Sequence, residues 1–162
     1  MGDERRGRLF VKFILKQFPK TKFVLDIAGG KGQVARSLAN KKIRVHVIDA
    51  KPRLSGNQHP LISYQKGFFF SKDTLREHVT PDLIVGMHPD EATCEIVEFA
   101  VRNKLPFAVV PCCIKGRHAN GISNFSNWKR KIKRLASTKG YLVQENMLKM
   151  RGKNTVIYGK PQ

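Results

Sequence analysis

One fragment near the start of the chain limits its possible folds more than any other feature. The sequence VLDIAGGKGQVARSLA, residues 24–39, is an apolar strand pattern followed by a glycine-rich turn and a helix pattern. Gly29, Gly30 and Gly32 allow the backbone to approach a ligand closely, and the N-terminus of the following helix points at the same place. This order is typical of the first strand, turn and helix of a doubly wound α/β sheet.

The rest of the chain continues the alternation of strands and helices. The patterns predict strands at residues 22–26, 43–48, 61–65, 82–87, 106–110, 141–148 and 155–159. They predict helices at residues 8–18, 33–39, 91–103 and 127–138, the last capped by Asn124 or Ser126. Residues 51–60 and 115–124 are predicted loops, and the run 68–70 matches no element. We therefore predict one α/β domain over residues 1–162, a mostly parallel sheet covered by helices on both faces.

Positive charge is concentrated at the two ends of the chain. The 162 residues include 31 Lys+Arg and 12 Asp+Glu, a net charge of +19. Residues 1–22 contribute +5 and residues 115–162 contribute +11, whereas residues 23–114 are nearly balanced. A net charge of about 2–8 suffices for solubility, so the excess favours a polyanionic partner, most commonly nucleic acid. A hydrophobic fraction of 41% provides a core and excludes global disorder.

Composition also excludes several classes of protein. No apolar run reaches the roughly 20 residues of a transmembrane helix. Three cysteines do not make a disulfide framework, which favours a reducing intracellular compartment. Cytoplasm and mitochondrion both remain open, since Asp3 and Glu4 weaken a transit-peptide interpretation of the Arg-rich start.

Several ligands compete for the glycine turn. A P-loop is excluded, because no Ser or Thr follows Lys31 to hold magnesium. A dinucleotide is possible, since the turn matches G-x-G-x-x-A and Asp49 ends the next strand, where a carboxylate can accept ribose hydroxyls. S-adenosylmethionine is favoured by Asp26, the acid that precedes the glycines. A turn that only packs helix against strand is the remaining alternative.

Three segments resemble one family. The pattern Asp26-x-Ala28-x-Gly30-x-Gly32 is similar to motif I of class I S-adenosylmethionine-dependent methyltransferases, with Ala28 in place of a glycine. The segments IVGMHPDEAT (84–93) and PFAVVPCC (106–113) resemble a branch that includes tRNA 2′-O-methyltransferases, and RGKNTVIYGK (151–160) resembles its last strand. The resemblance covers residues 8–160 and implies a Rossmann-like fold of seven strands with a reversed last strand.

The resemblance also implies roles for individual residues. Asp26, Gly30 and Gly32 would surround the methionine part of the cofactor, and Asp49 would bind its ribose. Gly29, in the same turn, is a further cofactor-binding candidate. His88 and Asp90 would lie beside the methyl acceptor as the candidate catalytic residues. Two departures from the family stand out: no polar residue after the third strand is placed for the adenine amino group, and Ile114 replaces a histidine.

Each of these chemical residues also has a purely structural interpretation. Asp90 follows Pro89 at a predicted helix start and can be an N-cap. His88 can be a general base or a hydrogen-bonded histidine at a strand end. Three cysteines and His88 raise the question of zinc: Cys94, Cys112 and Cys113. Their spacing is not C-x-x-C, and adjacent residues of a strand point to opposite faces. We therefore predict buried thiols without a metal.

The helix at 127–138 separates apolar from basic residues. Trp128, Ile132, Leu135 and Ala136 form one face, which the sheet needs as cover. The predicted RNA-binding residues are basic and lie on this helix or in the loop before it: Lys115, Arg117, Lys129, Arg130, Lys133 and Arg134. An anionic membrane is the alternative partner for a basic amphipathic helix, but the apolar face is already used.

The sequence thus predicts an RNA-binding, S-adenosylmethionine-dependent methyltransferase-like protein that acts on rRNA or tRNA, with ribosomal or assembly proteins as further candidate partners. The competing hypothesis is a catalytically inactive methyltransferase-fold subunit of a ribonucleoprotein. An NAD-binding enzyme is a third hypothesis.

Overall fold

The computed structural model describes residues 5–53, 59–73 and 80–162, and its strands in these ranges form one seven-stranded sheet. The strands are β1 (Phe23–Ile27), β2 (Arg44–Asp49), β3 (Ile62–Lys66), β4 (Leu83–Met87), β5 (Phe107–Val110), β6 (Tyr141–Met147) and β7 (Thr155–Pro161). The helices are α1 (Arg6–Gln17), α2 (Gln33–Ala39), α3 (Thr93–Asn103) and α4 (Phe125–Ser137), with a 3-10 turn at Asp90–Ala92.

The sheet has the topology predicted for it. Its strand order is β3-β2-β1-β4-β5-β7-β6. The first five strands pair in parallel, and β7 runs antiparallel to both β5 and β6. This confirms a mostly parallel sheet with a reversed last strand. The order changes direction between β1 and β4, and in open α/β sheets ligands bind at the carboxyl ends of the strands beside such a point.

Strand residues alternate between two hydrophobic cores. On one face Val24, Val45 and Val85 pack with α1 and α2. On the other face Leu25 and Ile84 pack with α3 and α4, whose largest buried side chain is Trp128. The helices on both faces leave the carboxyl edge of the sheet as the place where loops assemble a site.

Most predicted boundaries lie within two residues of the observed ones, and α2 has the predicted bounds. Asn124 is the cap of α4, since its side chain accepts a hydrogen bond of 2.9 Å from the Asn127 N–H, whereas Ser126 lies inside the helix. The helix predicted from residue 91 begins as a 3-10 turn, and α3 starts only at Thr93. Part of the predicted loop at 51–60 lies outside the described residues.

No helix in the described part of the chain combines the length and apolar character that crossing a bilayer requires.

Candidate functional site

A cleft of about 860 Å³ lies at the carboxyl edge of the sheet. Its walls are the glycine turn after β1, the end of β2, the aromatic run 68–70 after β3 and residues 88–92 after β4. The loop after β5 adds Gly116 and Arg117. The volume lies within the range of small-molecule and cofactor sites, so the cleft is large enough for a nucleoside ligand.

The glycine turn adopts the left-handed backbone conformation at alternate residues. Ala28, Gly30 and Gly32 have φ angles of 57°, 53° and 70°. Gly30 lines the cleft, and a Cβ built on it would come no closer than 3.7 Å to a neighbouring side chain, the Arg53 guanidinium. Gly32 is the N-cap of α2. The helix therefore begins two residues after Gly30, the glycine that lines the cleft.

Asp49 fastens the end of β2 to this turn. Its Oδ2 accepts a hydrogen bond of 2.8 Å from the Gly30 N–H, and its Oδ1 accepts one of 2.7 Å from the Lys51 N–H. Each carboxylate oxygen has a second lone pair. Since Asp49 also lines the cleft, the carboxylate can accept further hydrogen bonds from a pair of hydroxyls.

Asp26 lies beneath the turn and has no exposed surface. Among the described residues neither of its carboxylate oxygens has a hydrogen-bond partner. Burial, with the negative charge of Asp49 as a second and smaller cause, raises the pKa of Asp26 to about 7. A Cβ on Gly29 would lie 2.8 Å from Asp26 Oδ2 and 2.7 Å from a Val47 methyl, so only glycine fits there.

Only two of the five predicted cofactor residues line the cleft. Gly30 and Asp49 do so, whereas Asp26, Gly29 and Gly32 do not. Their contact with a cofactor stays a prediction.

The segment after β4 is strained at two positions. His88 and Asp90 have φ angles of 55° and 48°, in the region that side-chain-bearing residues rarely adopt. His88 Nε2 donates a hydrogen bond of 2.9 Å to the Lys153 carbonyl, which can only accept. Nδ1 of the neutral ring is therefore an acceptor, and both His88 and Asp90 line the cleft.

Asp90 is bound by two thiols. Cys112 Sγ and Cys113 Sγ donate to Asp90 Oδ1 over 3.1 and 3.2 Å. Partial burial would raise the pKa of Asp90, but these bonds and the charge of Lys115 hold it below its usual value. The interpretation of Asp90 as a helix cap is wrong, because Pro89 occupies the cap position and the Asp90 carboxylate bonds to the thiols.

The prediction of buried thiols is confirmed for Cys94, whereas Cys112 and Cys113 are only partly buried. β5 ends at Val110, so the two cysteines follow the strand and the rule of opposite faces does not apply to them. Their sulfur atoms are 3.5 Å apart, and with Asp90 they are close enough to share one ion. Burial, followed by the hydrogen bond to Asp90, raises the pKa of Cys113 to about 12, which keeps the thiol protonated. The absence of a metal stays a prediction.

Glu95 is a site residue that the sequence analysis missed. It lies near the start of α3, is 9% exposed and accepts a hydrogen bond of 2.7 Å from the Ser71 N–H. Arg117 donates to both of its oxygens, at 3.2 and 3.3 Å. Glu95 thus ties the aromatic run to the loop after β5 across one wall of the cleft. The sequence contains one sign of this role: Glu95 is an acidic residue among apolar ones at the start of a predicted helix, and a basic loop follows the next strand.

The aromatic run places three phenylalanines differently. Phe69 is buried against Phe99, with ring centroids 5.1 Å apart. Phe68 and Phe70 line the cleft and are 73% and 47% exposed. Large exposed aromatic rings beside a cleft offer flat surfaces on which a planar ring system can stack.

The six predicted RNA-binding residues do not form one surface of free charge. Arg117 pairs with Glu95 and Glu98, while Lys129 and Lys133 lie 3.3 and 3.0 Å from the carboxylate of Glu145. The other three, Lys115, Arg130 and Arg134, are exposed and have no ion pair with any described residue. The charge of the loop beside the cleft is thus partly neutralised.

Comparison with solved structures identifies the fold. The methyltransferase domain of a bacterial Hen1 protein, CtHen1, matches with a TM-score of 0.67 at 15% identity, over 99% of this chain and 100% of that one. A candidate hemolysin from Lactococcus lactis matches with a TM-score of 0.72 at 17% identity, over 99% and 89%. CalS10, an S-adenosylmethionine-bound amino pentose methyltransferase from Micromonospora echinaspora, matches with 0.65 at 10% identity, over 95% and 89%.

The chain therefore has the fold of class I methyltransferases. No protein-family model matches the sequence, and no curated protein matches it. At these identities the structural similarity defines the fold, whereas an activity has to be argued from the site.

Proposed function

We propose that this chain is an S-adenosylmethionine-dependent methyltransferase that acts on structured RNA, rRNA or tRNA. The observation that carries the proposal is the Asp49 carboxylate, held between two backbone N–H groups at the lip of a cleft in a methyltransferase fold. Its remaining lone pairs suit the two hydroxyls of a ribose. The open space beside Gly30 leaves room for the methionine part, with Asp26 supporting the turn from below.

Two groups of this chain would act on the acceptor. Bound S-adenosylmethionine supplies an electrophilic methyl group on a sulfonium. His88 Nδ1 takes the proton from the acceptor hydroxyl or base nitrogen as that atom is methylated, while its Nε2–H bond to Lys153 fixes the ring. The ionised Asp90 orients the acceptor, since its thiol bonds occupy only one of its two oxygens.

The RNA substrate is supported by charge and by exposed rings. The net charge of +19 attracts phosphates, and Phe68 and Phe70 present stacking surfaces at the cleft. Ribosomal or assembly proteins are further candidate partners, because they would bind the same RNA.

A catalytically inactive subunit of a ribonucleoprotein is the second candidate function. The observation that favours it lies after β3, where the adenine of a cofactor would bind. Asp73 is the nearest acid of the described segment there, and its carboxylate accepts a hydrogen bond of 2.8 Å from the Phe70 N–H. A site that has lost its adenine contact binds cofactor weakly.

Transfer of a labelled methyl group separates the two candidates. The protein is incubated with methyl-labelled S-adenosylmethionine in two separate reactions. One reaction contains unmodified rRNA and the other contains unmodified tRNA. We expect label in one RNA class, and loss of transfer in Asp49→Ala and His88→Ala. Binding of RNA without any transfer at saturating cofactor would contradict the enzyme and favour the inactive subunit.

A further inference from the structure

A second concavity, of about 650 Å³, lies between α3 and α4. Its walls carry five basic side chains and one acidic side chain, Glu98, which is already paired with Arg117 and His118. The basic residues come from the segment after the aromatic run, from α3, and from α4 and the turn after it: Lys72, Arg102, Lys131, Arg134 and Lys139. We call this concavity the α3–α4 groove.

The charge of the α3–α4 groove is free, in contrast to that of the opposite flank of α4. Within the described ranges, no carboxylate forms an ion pair with Lys131, Arg134 or Lys139. On the flank that faces β6, Glu145 binds both Lys129 and Lys133. Of the three basic residues of α4 without an ion pair in the described ranges, Lys131 and Arg134 line the groove and Arg130 does not.

The α3–α4 groove continues into the cleft. Ser71 and Lys72 line both concavities, so the two residues that follow the aromatic run form their common rim. Ser71 is fixed there by its 2.7 Å bond to Glu95, and Phe70 precedes it at the cleft mouth. A basic groove that leads to exposed aromatic rings is the arrangement that tracks a nucleic-acid strand, phosphates in the groove and bases on the rings.

We propose that the α3–α4 groove binds the phosphate backbone of the RNA strand whose nucleotide enters the cleft. This proposal rests on the RNA-acting function proposed above and assigns that function a path. It makes Lys72, Lys131, Arg134 and Lys139 RNA-binding residues, three of which the sequence analysis did not select. It also takes Lys129 and Lys133 out of direct contact with phosphate.

Two matched triple variants test this path. The groove variant is Lys131→Gln, Arg134→Gln, Lys139→Gln, and the control variant is Lys129→Gln, Arg130→Gln, Lys133→Gln, three basic residues of α4 that do not line the groove. Both remove three positive charges, and glutamine keeps helix propensity. Affinity for a labelled RNA hairpin with a single-stranded tail is measured by fluorescence anisotropy over a salt series, and affinity for S-adenosylhomocysteine by calorimetry.

Each lost contact to a single strand removes about 0.7 from the slope of log K against log salt, so the slope for the groove variant should fall by about 2. At about 0.1 M salt this corresponds to roughly hundredfold weaker RNA binding. The control variant should keep most of its RNA affinity, and cofactor binding should be unchanged in both variants. Lys72→Gln, on the other wall, should lose affinity without altering α4.

Equal losses in the two triple variants, or no loss in the groove variant, would overturn the groove. Absence of RNA binding by the unaltered protein would instead overturn the RNA-acting function and the groove together. Loss of cofactor binding in either triple variant would show a damaged fold. In that case Lys72→Gln is the test: weaker RNA binding supports the groove, and unchanged RNA binding overturns it.

Discussion

Asp26 is expected to make the stability of the protein fall with rising pH. Its pKa is about 7 in the folded protein, against an ordinary value of 3.8, because the carboxyl is fully buried and Asp49 is near. Between these two values the folded state holds the proton and the unfolded state has released it. The unfolding free energy therefore decreases as pH rises through this window, by about 1.4 kcal/mol per unit. Over the window the loss is roughly 4 kcal/mol.

Replacing Asp26 by asparagine removes this dependence. The amide stays neutral at every pH, so the unfolding free energy of Asp26→Asn does not decrease over this pH window. The buried amide lacks a partner, which shifts the unfolding free energy of the variant by the same amount at every pH. Urea unfolding from about pH 4 to about pH 8 measures the difference between the two proteins. Asp49→Asn, which removes the neighbouring charge, should move the decrease to lower pH. Wild-type and Asp26→Asn curves that run parallel over this range would refute the reasoning.

Three further predictions concern the turn, the cleft wall and the thiols. Ala28→Gly should stabilise the protein by about 0.5–1 kcal/mol in thermal unfolding, because a glycine meets no penalty at φ 57°, and a loss of stability would contradict this. Glu95→Gln should cost roughly 2 kcal/mol at neutral pH, since Ser71 and Arg117 lose a charged acceptor. Burial would raise the pKa of Glu95, but these partners hold it below its usual value, so this stabilisation is lost as pH falls through the folded-state pKa. If the destabilisation by Glu95→Gln stayed the same at acidic pH, the loss of a charged acceptor would not be its cause. Added Zn²⁺ should leave the thermal midpoint unchanged, and a rise that Cys113→Ser abolishes would contradict the predicted absence of a metal.

The fold could be predicted because its determinants are local. Continuous apolar segments such as residues 106–110 specify buried parallel strands, and Asn124 signals the start of α4 by its own side-chain chemistry. The glycine turn likewise indicates the edge of the sheet at which the cleft lies. The reversed β7, however, came from resemblance and not from any pattern in the sequence.

The electrostatics of the site could not be predicted, because they depend on contacts between distant segments. Glu95 and Arg117 are 22 residues apart, and Lys129 and Glu145 are 16 apart, yet these pairs decide which positive charges are neutralised. The thiol–Asp90 cluster forms only because β4 and β5 are neighbours that end at the same edge. Counting charges along the chain identified a basic end but not the flank of α4 on which the charge is free.

Calorimetric titration with S-adenosylmethionine and S-adenosylhomocysteine tests the central claim most directly. We predict binding in the micromolar range to the unaltered protein, and loss of that binding in Asp49→Ala, whose fold is checked by circular dichroism. Absence of any binding at millimolar cofactor would contradict the claim that this cleft is a cofactor site.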